Sequence, residues 1–330
     1  MVYAQGDINS CTANAIGFII RYWSVKNGKQ PTNFSKTNPD LLNPSRLYHY
    51  CNSRLITGKW GNVGVSAEHA ILAIDKYGTC PEYIMTIQTT IKSTIKELTQ
   101  EVKVGLGYPV EKKDFLLSLS YPVDNPFAPS GPSDPKVVDG TDLTLDQVVA
   151  VKPTLETYRL AFDANYSGLS SGTANPYAFV SQKIRYDYLE NDAVKFKAAL
   201  TSGYPIFWGA KIYSAFTSDA NDYDPAKGEN PKPLFVPMPT ELFNGTAQTS
   251  AGGHAMVIVG WGYYNRAAPG KNYFRVLNSW GQNWSDGGFC YFPEEYITGS
   301  TSVRDGTFAT TDAAGASTTN TVSAYAVYFK

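Results

Sequence analysis

Gly252-Gly253-His254-Ala255-Met256-Val257-Ile258-Val259-Gly260-Trp261 and Tyr273-Phe274-Arg275-Val276-Leu277-Asn278-Ser279-Trp280-Gly281 carry the reading of the fold. The first is an unbroken apolar run behind a histidine, the pattern of a strand buried on both faces. The second reads as a strand that ends at an asparagine. Between them Asn265-Arg266-Ala267-Ala268-Pro269-Gly270 is polar and turn-rich. If the two strands form an antiparallel hairpin, the pairing centre for 254 and 278 is (254 + 278)/2 = 266, inside that turn. The register therefore places His254 beside Asn278.

An asparagine there can accept from one imidazole nitrogen, fix the tautomer and aim the other nitrogen at a reacting group. The N-terminal stretch supplies a partner. After Asn9-Ser10, the residues Ala13, Ile16, Ile19, Ile20 and Trp23 recur at helical spacing, which predicts a helix to about Val25 with Ser10 as N-cap. Cys11 then lies in the first turn, where the backbone N–H groups and the helix dipole favour thiolate over thiol. Nucleophile, base and orienter are the minimum for acyl transfer through a thiol.

Three separated segments together resemble the papain-like cysteine peptidases. Tyr3-Ala4-Gln5-Gly6-Asp7-Ile8-Asn9-Ser10-Cys11 is similar to that family's Gln-Gly-x-x-x-Ser-Cys nucleophile segment, Gly253-His254-Ala255 to its His strand, and Asn278-Ser279-Trp280-Gly281 to its Asn segment. The resemblance implies a Cys11 nucleophile, a His254 base and acid, an orienting Asn278, and an oxyanion site made by the Gln5 amide with the Cys11 backbone N–H. It also implies that Trp280 shields the bond between His254 and Asn278, and that the Gly64 backbone pairs with an extended substrate peptide. By the same resemblance Gly64 to Ser66, Gly209, Ala210 and Ala251 to Gly253 wall the main specificity pocket; these residues are small, so a roomy pocket for bulky apolar or aromatic side chains is expected. Ile8-Asn9 stand where the family has Cys-Gly, so the disulfide anchored there is absent, and Cys-Thr-Ala-Asn-Ala is closer to bacterial members. The separations, 254 − 11 = 243 and 278 − 11 = 267, exceed the roughly 130–150 of papain and cathepsins, which implies inserted chain.

The fold class expected is α+β, a papain-like two-lobe fold with long insertions: a helical lobe and an antiparallel β-barrel-like lobe. Residues 1–120 form the helical lobe with the nucleophile. Within it, Leu47-Tyr48-His49-Tyr50 precedes a helix opened by Gly64-Val65-Ser66-Ala67. From Thr86, the spacing of Ile87, Ile91, Ile95, Leu98 and Val102 predicts a further amphipathic helix. Residues 121–175, rich in Pro, Asp, Gly and Ser, read as a loop-rich insertion, and connections beyond about 15 residues are usually functional or disordered. Residues 176–330 form the β lobe: a helix from Asp192 to Leu200, the strand Tyr204 to Ala210, a polar insert 218–250, the hairpin above, a Ser/Thr/Gly-rich insert 299–321, and a closing strand Ala324 to Phe329.

At 330 residues the chain is long enough for two lobes, and 43% apolar with 14% aromatic residues fills a core. A net charge of −1 gives no basic field for nucleic acid and no polybasic surface for membranes. No apolar run approaches the roughly 18 residues of a membrane span. No CxxC occurs and only three histidines are present, so no metal and no cofactor is expected. His49 and His69 read as structural. Cys51, Cys80 and Cys290 remain after Cys11, and Cys51 with Cys80 is the pair expected in an oxidising compartment, although counting does not fix connectivity. Low charge, at 17%, suits a secreted or periplasmic protein whose signal and pro-segment stand outside this chain. The expected partners are protein or peptide substrates and the chain's own pro-segment. The expected activity is endopeptidase; the alternatives are an amidase or transpeptidase on the same triad, or a silent binding module on the same scaffold.

Overall fold

The computed structural model describes residues 2–3, 5, 8–28, 44–59, 61–80, 88–92, 97–101, 153, 158, 161, 177, 184–190, 192–264, 269–298, 307–311, 317–321 and 323–329. The 121–175 insertion lies outside the described residues save for Pro153, Tyr158 and Ala161. Two compact units are present: Gln5–Ile184 with Phe329–Lys330, and Met1–Ala4 with Arg185–Tyr328. Among the described residues no helix is long and apolar enough to cross a membrane.

The first unit holds α1 (Cys11–Lys26), α2 (Arg46–Thr57) and α3 (Ala67–Tyr77), packed on one another. α1 begins and ends where its apolar spacing predicts, and Ala13, Ile16, Ile19 and Ile20 are all buried. Ser10 is at the N-cap, but its hydroxyl caps nothing, because Asn14 Nδ2 donates to both Ser10 O and Ser10 Oγ at 3.0 Å. α2 and α3 have ordinary caps. Ser45 Oγ accepts from Tyr48 N, Ser66 Oγ accepts from His69 N, and Gly58 closes α2 in the left-handed region at φ 65°. Ile8, Leu47, Tyr48, Tyr50, Cys51 and Cys80 make an apolar cluster in this unit.

The same unit corrects one expectation. Where 87–102 were read as a helix, β1 (Gln88–Lys92) and β2 (Glu97–Glu101) pair antiparallel, with Ile91 opposite Leu98. The isoleucines fit a helical spacing, but Thr86, Thr89, Thr90, Thr94 and Thr99 crowd the segment with β-branched residues that suit a pleated strand better. The proposed Cys51–Cys80 pair is not made either, since all four cysteines are thiols.

The second unit is a seven-stranded sheet with helices α4 (Ala193–Thr201) and α5 (Glu294–Thr298). Its strands are β3 (Ile184–Tyr188), β4 (Ile206–Tyr213), β5 (Leu234–Phe235), β8 (Ser250–Gly262), β9 (Tyr273–Leu277), β10 (Phe289–Pro293) and β13 (Ser323–Phe329), in spatial order β3-β13-β4-β8-β9-β10-β5. The pairings β13–β4, β4–β8, β8–β9 and β9–β10 are antiparallel, and β10–β5 is parallel. Side chains alternate as a strand requires. Trp208, Met256, Ile258, Phe274, Val276 and Phe292 enter one core with Phe196 of α4 and Tyr296 of α5. Phe207, Val257 and Leu277, on the other face, are buried too, which is why the His strand carries no polar alternation.

The barrel-like closure expected for this lobe is not formed: the sheet is open, with β3 and β5 at its edges. Pro231, Pro233, Pro237 and Pro239 flank the two residues of β5, and proline cannot donate to a ladder, so that edge stops short. The polar insert 218–250 is folded. It supplies β5 and the hairpin of β6 (Leu242–Phe243) with β7 (Thr246–Ala247). In the 299–321 insert, β11 (Thr307–Thr311) and β12 (Ser317–Thr321) pair antiparallel.

Candidate active site

His254 and Asn278 meet, with Nε2 of the imidazole 2.7 Å from Oδ1 of the asparagine. They do so diagonally rather than opposite one another. Next to the site Val257 faces Leu277 and Ile258 faces Val276, so Asn278, one step past the end of β9, falls across from Met256. His254 is two residues from Met256 and shares its face, within diagonal reach of a side chain. The hairpin is centred at (262 + 273)/2 = 267.5 near its turn and at (257 + 277)/2 = 267 next to the site, past the irregularity between Ile258 and Gly260, and not at 266.

The chemistry of the pair follows from a second bond. Ser279 N–H donates to the same Asn278 Oδ1 at 2.8 Å, so that atom must be the amide oxygen. An oxygen facing Nε2 requires Nε2 to carry a hydrogen. The other ring nitrogen, Nδ1, is then the one left to exchange protons. Asn278 N donates to Gly288 O at 3.0 Å and Gly281 N to Tyr3 O at 2.8 Å, so the loop behind the asparagine is held at both ends.

Apolar rings enclose the bond. His254 is 7% exposed and Asn278 2%. The Trp280 ring lies 5.1 Å from the imidazole and Phe216 5.9 Å, and Phe216 also touches Trp280 at 5.0 Å and Trp284 at 4.9 Å. Trp280 was expected beside the histidine. Phe216 and Trp284 were not, although a second tryptophan one helical-turn spacing after Trp280 was visible in the sequence.

Ala210 pairs with His254 across β4 and β8, and Gly209 pairs with Ala255. Neighbours on a strand point to opposite faces, so Ala210 shares the histidine's face and Gly209 does not. A Cβ added at Gly209, Gly252 or Gly253 would meet nothing within 4 Å.

In the helical unit, Cys11 is the first residue of α1, half-buried, with no acidic residue in the first turn. Gln5 is buried, and its Nε2 donates to Ile8 O at 3.0 Å, the carbonyl that also accepts from Ser10 N at 2.7 Å. Those two bonds tie Gln5 and Ser10 to Ile8 just ahead of Cys11. Residues 62–65 are tied to the same segment: Asn9 N donates to Asn62 Oδ1 at 2.6 Å, Asn9 Nδ2 to Asn62 O at 2.8 Å, and Thr12 Oγ1 to Val65 O at 2.8 Å. Tyr50 Oη and Arg54 Nη1 brace them from behind, on Val63 O and Gly61 O. Gly64 is thereby fixed near the start of α1 and exposed, with open space around it. Ser66 is a helix cap whose Oγ also lies 2.8 Å from His69 Nδ1.

His49 is buried against Thr79, and burial pushes its pKa down to about 3, leaving it neutral. Burial likewise raises the Cys290 thiol well above its ordinary value. Neither is a group for proton exchange at neutral pH.

Comparison with known proteins bears on the family and the fold. A family model described as papain family cysteine protease matches residues 240–304, a span that includes His254, Asn278 and Trp280 but not Gln5 or Cys11. An uncharacterized peptidase C1-like protein of Acanthamoeba polyphaga mimivirus is 23% identical over 305 residues, covering 91% of this chain and 67% of that protein. A gut-specific cysteine proteinase of Caenorhabditis elegans is 40% identical over 55 residues, 17% of this chain and 16% of that protein. Among solved structures, xylellain, a cysteine protease from Xylella fastidiosa, superposes with a TM-score of 0.57 at 21% identity, covering all of this chain and 82% of that one. The chain is therefore papain-like in fold and in its His-to-Asn segment, and the enzyme class its family match carries is the cysteine-type peptidases.

Proposed function

We propose that the chain is a cysteine endopeptidase in which Cys11 is the nucleophile, His254 the acid and base, Asn278 the orienter, and Gln5 with the Cys11 backbone N–H the oxyanion site. The observation that carries this reading is the Asn278 amide, whose orientation Ser279 N–H fixes and whose oxygen holds His254 Nε2–H at 2.7 Å. That bond commits one ring nitrogen to structure and the other to chemistry.

In the reaction, the Cys11 thiolate attacks the scissile carbonyl, and a C–S bond forms as the carbonyl oxygen takes the negative charge. The Gln5 amide and the first N–H of α1 donate to that oxygen. The C–N bond then breaks as imidazolium His254 gives its Nδ1 proton to the leaving amine, which leaves an acyl-enzyme. Water loses a proton to His254 and attacks the thioester, releasing the acid and restoring the thiolate. The N-terminus of α1, whose first turn holds no acidic residue, supports the thiolate throughout.

Substrate binding follows from the exposed Gly64 strap, whose backbone pairs with an extended peptide. Gly64, Ser66, Ala210 and Gly253 supply small walls for a large apolar side chain, and Gly209, on the opposite face of β4 from Ala210, drops out of that set. Trp280 keeps water from the His254–Asn278 bond. The test is an epoxysuccinyl peptide probe followed by mapping of the adduct. Modification of Cys11 alone, with loss of adduct and of turnover in Cys11→Ala, is the expected result; adducts elsewhere, or turnover by Cys11→Ala within about tenfold of the parent, would defeat the reading.

A further inference from the structure

The polar insert 218–250 contains one residue that reaches both walls of the enclosure around His254. Asn221 is 7% exposed, and its Nδ2 donates to Ala215 O at 3.0 Å and to Phe216 O at 2.9 Å. Both amide hydrogens are thus used to hold the turn that carries Phe216. On its other side Asn221 O accepts from Ser285 N at 2.7 Å, next in sequence to Trp284. Further bonds zip the same two segments together. Tyr223 N donates to Asn283 O and Tyr223 Oη to Gln282 O, both at 2.9 Å, and Asp222 bridges to Trp284. Ser285 sits at φ 50°, a region that non-glycine residues rarely adopt, and Leu234 N donates to its Oγ at 2.9 Å.

We infer that Asn221 is a positioning residue for the peptidase reaction, acting through Phe216 and Trp284 to keep the His254–Asn278 hydrogen bond dry and the imidazole in one orientation. The argument is geometric. Phe216 lies 5.9 Å from the imidazole and against both tryptophans, yet it is on a turn beyond β4, outside the sheet ladder. Its own backbone N bonds only back to Tyr213 O, at 2.8 Å. Asn221 supplies the anchor that the sheet does not. Without it, the Ala215 and Phe216 carbonyls lose their buried donor, and the wall next to His254 has to open to water to regain one. This rests on His254 being the base proposed above.

The same insert contains an internal control. Gln248 is also buried, and its Nε2 donates to Met238 O at 2.8 Å and Glu241 O at 3.0 Å, so its bonds hold other carbonyls than those of the Phe216 turn. Asn221→Ala and Gln248→Ala remove equivalent bonds from one insert. A purely structural role predicts similar consequences for both.

The chain has three histidines, so the imidazole N–H protons of the full protein labelled with 15N-histidine can be assigned by comparison with His254→Ala. In Asn221→Ala, solvent exchange of the His254 Nε2 proton is expected to speed at least about tenfold, and kcat to fall roughly ten- to a hundredfold with KM within about twofold, the scale of a displaced catalytic group. Gln248→Ala should leave both near the parent. Phe216→Leu, which keeps the site apolar but thins the wall, serves if Asn221→Ala does not fold, and should speed the same exchange. Unchanged exchange in the variant that folds, equal effects of Asn221→Ala and Gln248→Ala, or faster exchange with unaltered kcat would each overturn the inference. A parent that exchanges slowly but cleaves no peptide would sink the proposed function instead, while the exchange comparison would still decide what Asn221 does.

Discussion

Replacing Asn278 by alanine separates what its two polar atoms do. Oδ1 accepts from His254 Nε2 at 2.7 Å and Ser279 N at 2.8 Å, whereas Nδ2 is buried with no acceptor among the described residues. Asn278→Ala therefore strands two donors in a site that is at most 7% exposed. A buried donor left without a partner costs about 1–3 kcal/mol, so the pair sets a range of about 2–6 kcal/mol. Water entering the vacated volume recovers part of it, and we expect about 2–4 kcal/mol in urea unfolding, read as a lower midpoint at unchanged slope. Turnover should fall about a hundredfold through kcat, since the imidazole loses its orientation and not its proton chemistry. Asn278→Asp keeps an oxygen for both donors and discards only the unused Nδ2, so it should retain clearly more activity than Asn278→Ala. The reasoning is refuted if alanine costs less than about 1 kcal/mol, or if Asp is as inactive as Ala.

Three further outcomes follow. His49 has its pKa lowered from 6.5 to about 3 by burial; the unfolded chain binds that proton near pH 6.5 and the folded one only near 3, so stability held above pH 6.5 drains away as pH falls toward 3. The slope from this group is about 1.4 kcal/mol per pH unit, and urea midpoints between pH 7 and pH 4 should fall more steeply in the parent than in His49→Gln. Gly288→Ala should destabilise by at least about 1–3 kcal/mol: its φ is 89°, and the new methyl would overlap a Val2 side-chain methyl and lie 3.0 Å from Gly281 O. Val2→Ala in the same chain should restore part of the loss; no recovery would mean that backbone conformation alone sets the cost. In a peptide library, the second residue before the cut should be bulky and apolar or aromatic, and a preference for small or acidic residues there would contradict the pocket assigned to Gly64, Ala210 and Gly253.

The strands at 254–261 and 273–277 were legible because burial on both faces writes an unbroken apolar run, and the helix at Cys11 because its apolar spacing is regular. The meeting of His254 with Asn278 was also legible, though by a direct cross-strand pairing, whereas a hairpin centred near 267 makes it a diagonal one. The residue at which a long turn is centred leaves little mark in sequence. The 87–102 segment misled because isoleucine at every fourth position satisfies a helix and a strand alike, and only its threonine content pointed to the hairpin that formed. Ser10 misled through its neighbour: Asn14, one turn later, takes the hydroxyl that was expected to cap α1. The fold of the polar insert was hidden for a different reason. Asp219–Asn221 forms a single 3-10 turn capped by Ser218, but the Asn221 bond to Ser285 spans 64 residues, and no local pattern announces a partner so distant.

The central claim is that Cys11 reacts as a thiolate supported by His254, and iodoacetamide alkylation of Cys11 against pH tests it most directly. The rate, read by mass of the Cys11 peptide, should be on a plateau well below the unperturbed thiol value of about 8.5, and His254→Ala should move the rise toward that value. Cys51, Cys80 and Cys290 are buried and should stay unmodified in the folded protein. Alkylation that rises only near pH 8.5 in the parent, with the same profile in His254→Ala, would contradict the pairing and with it the proposed site.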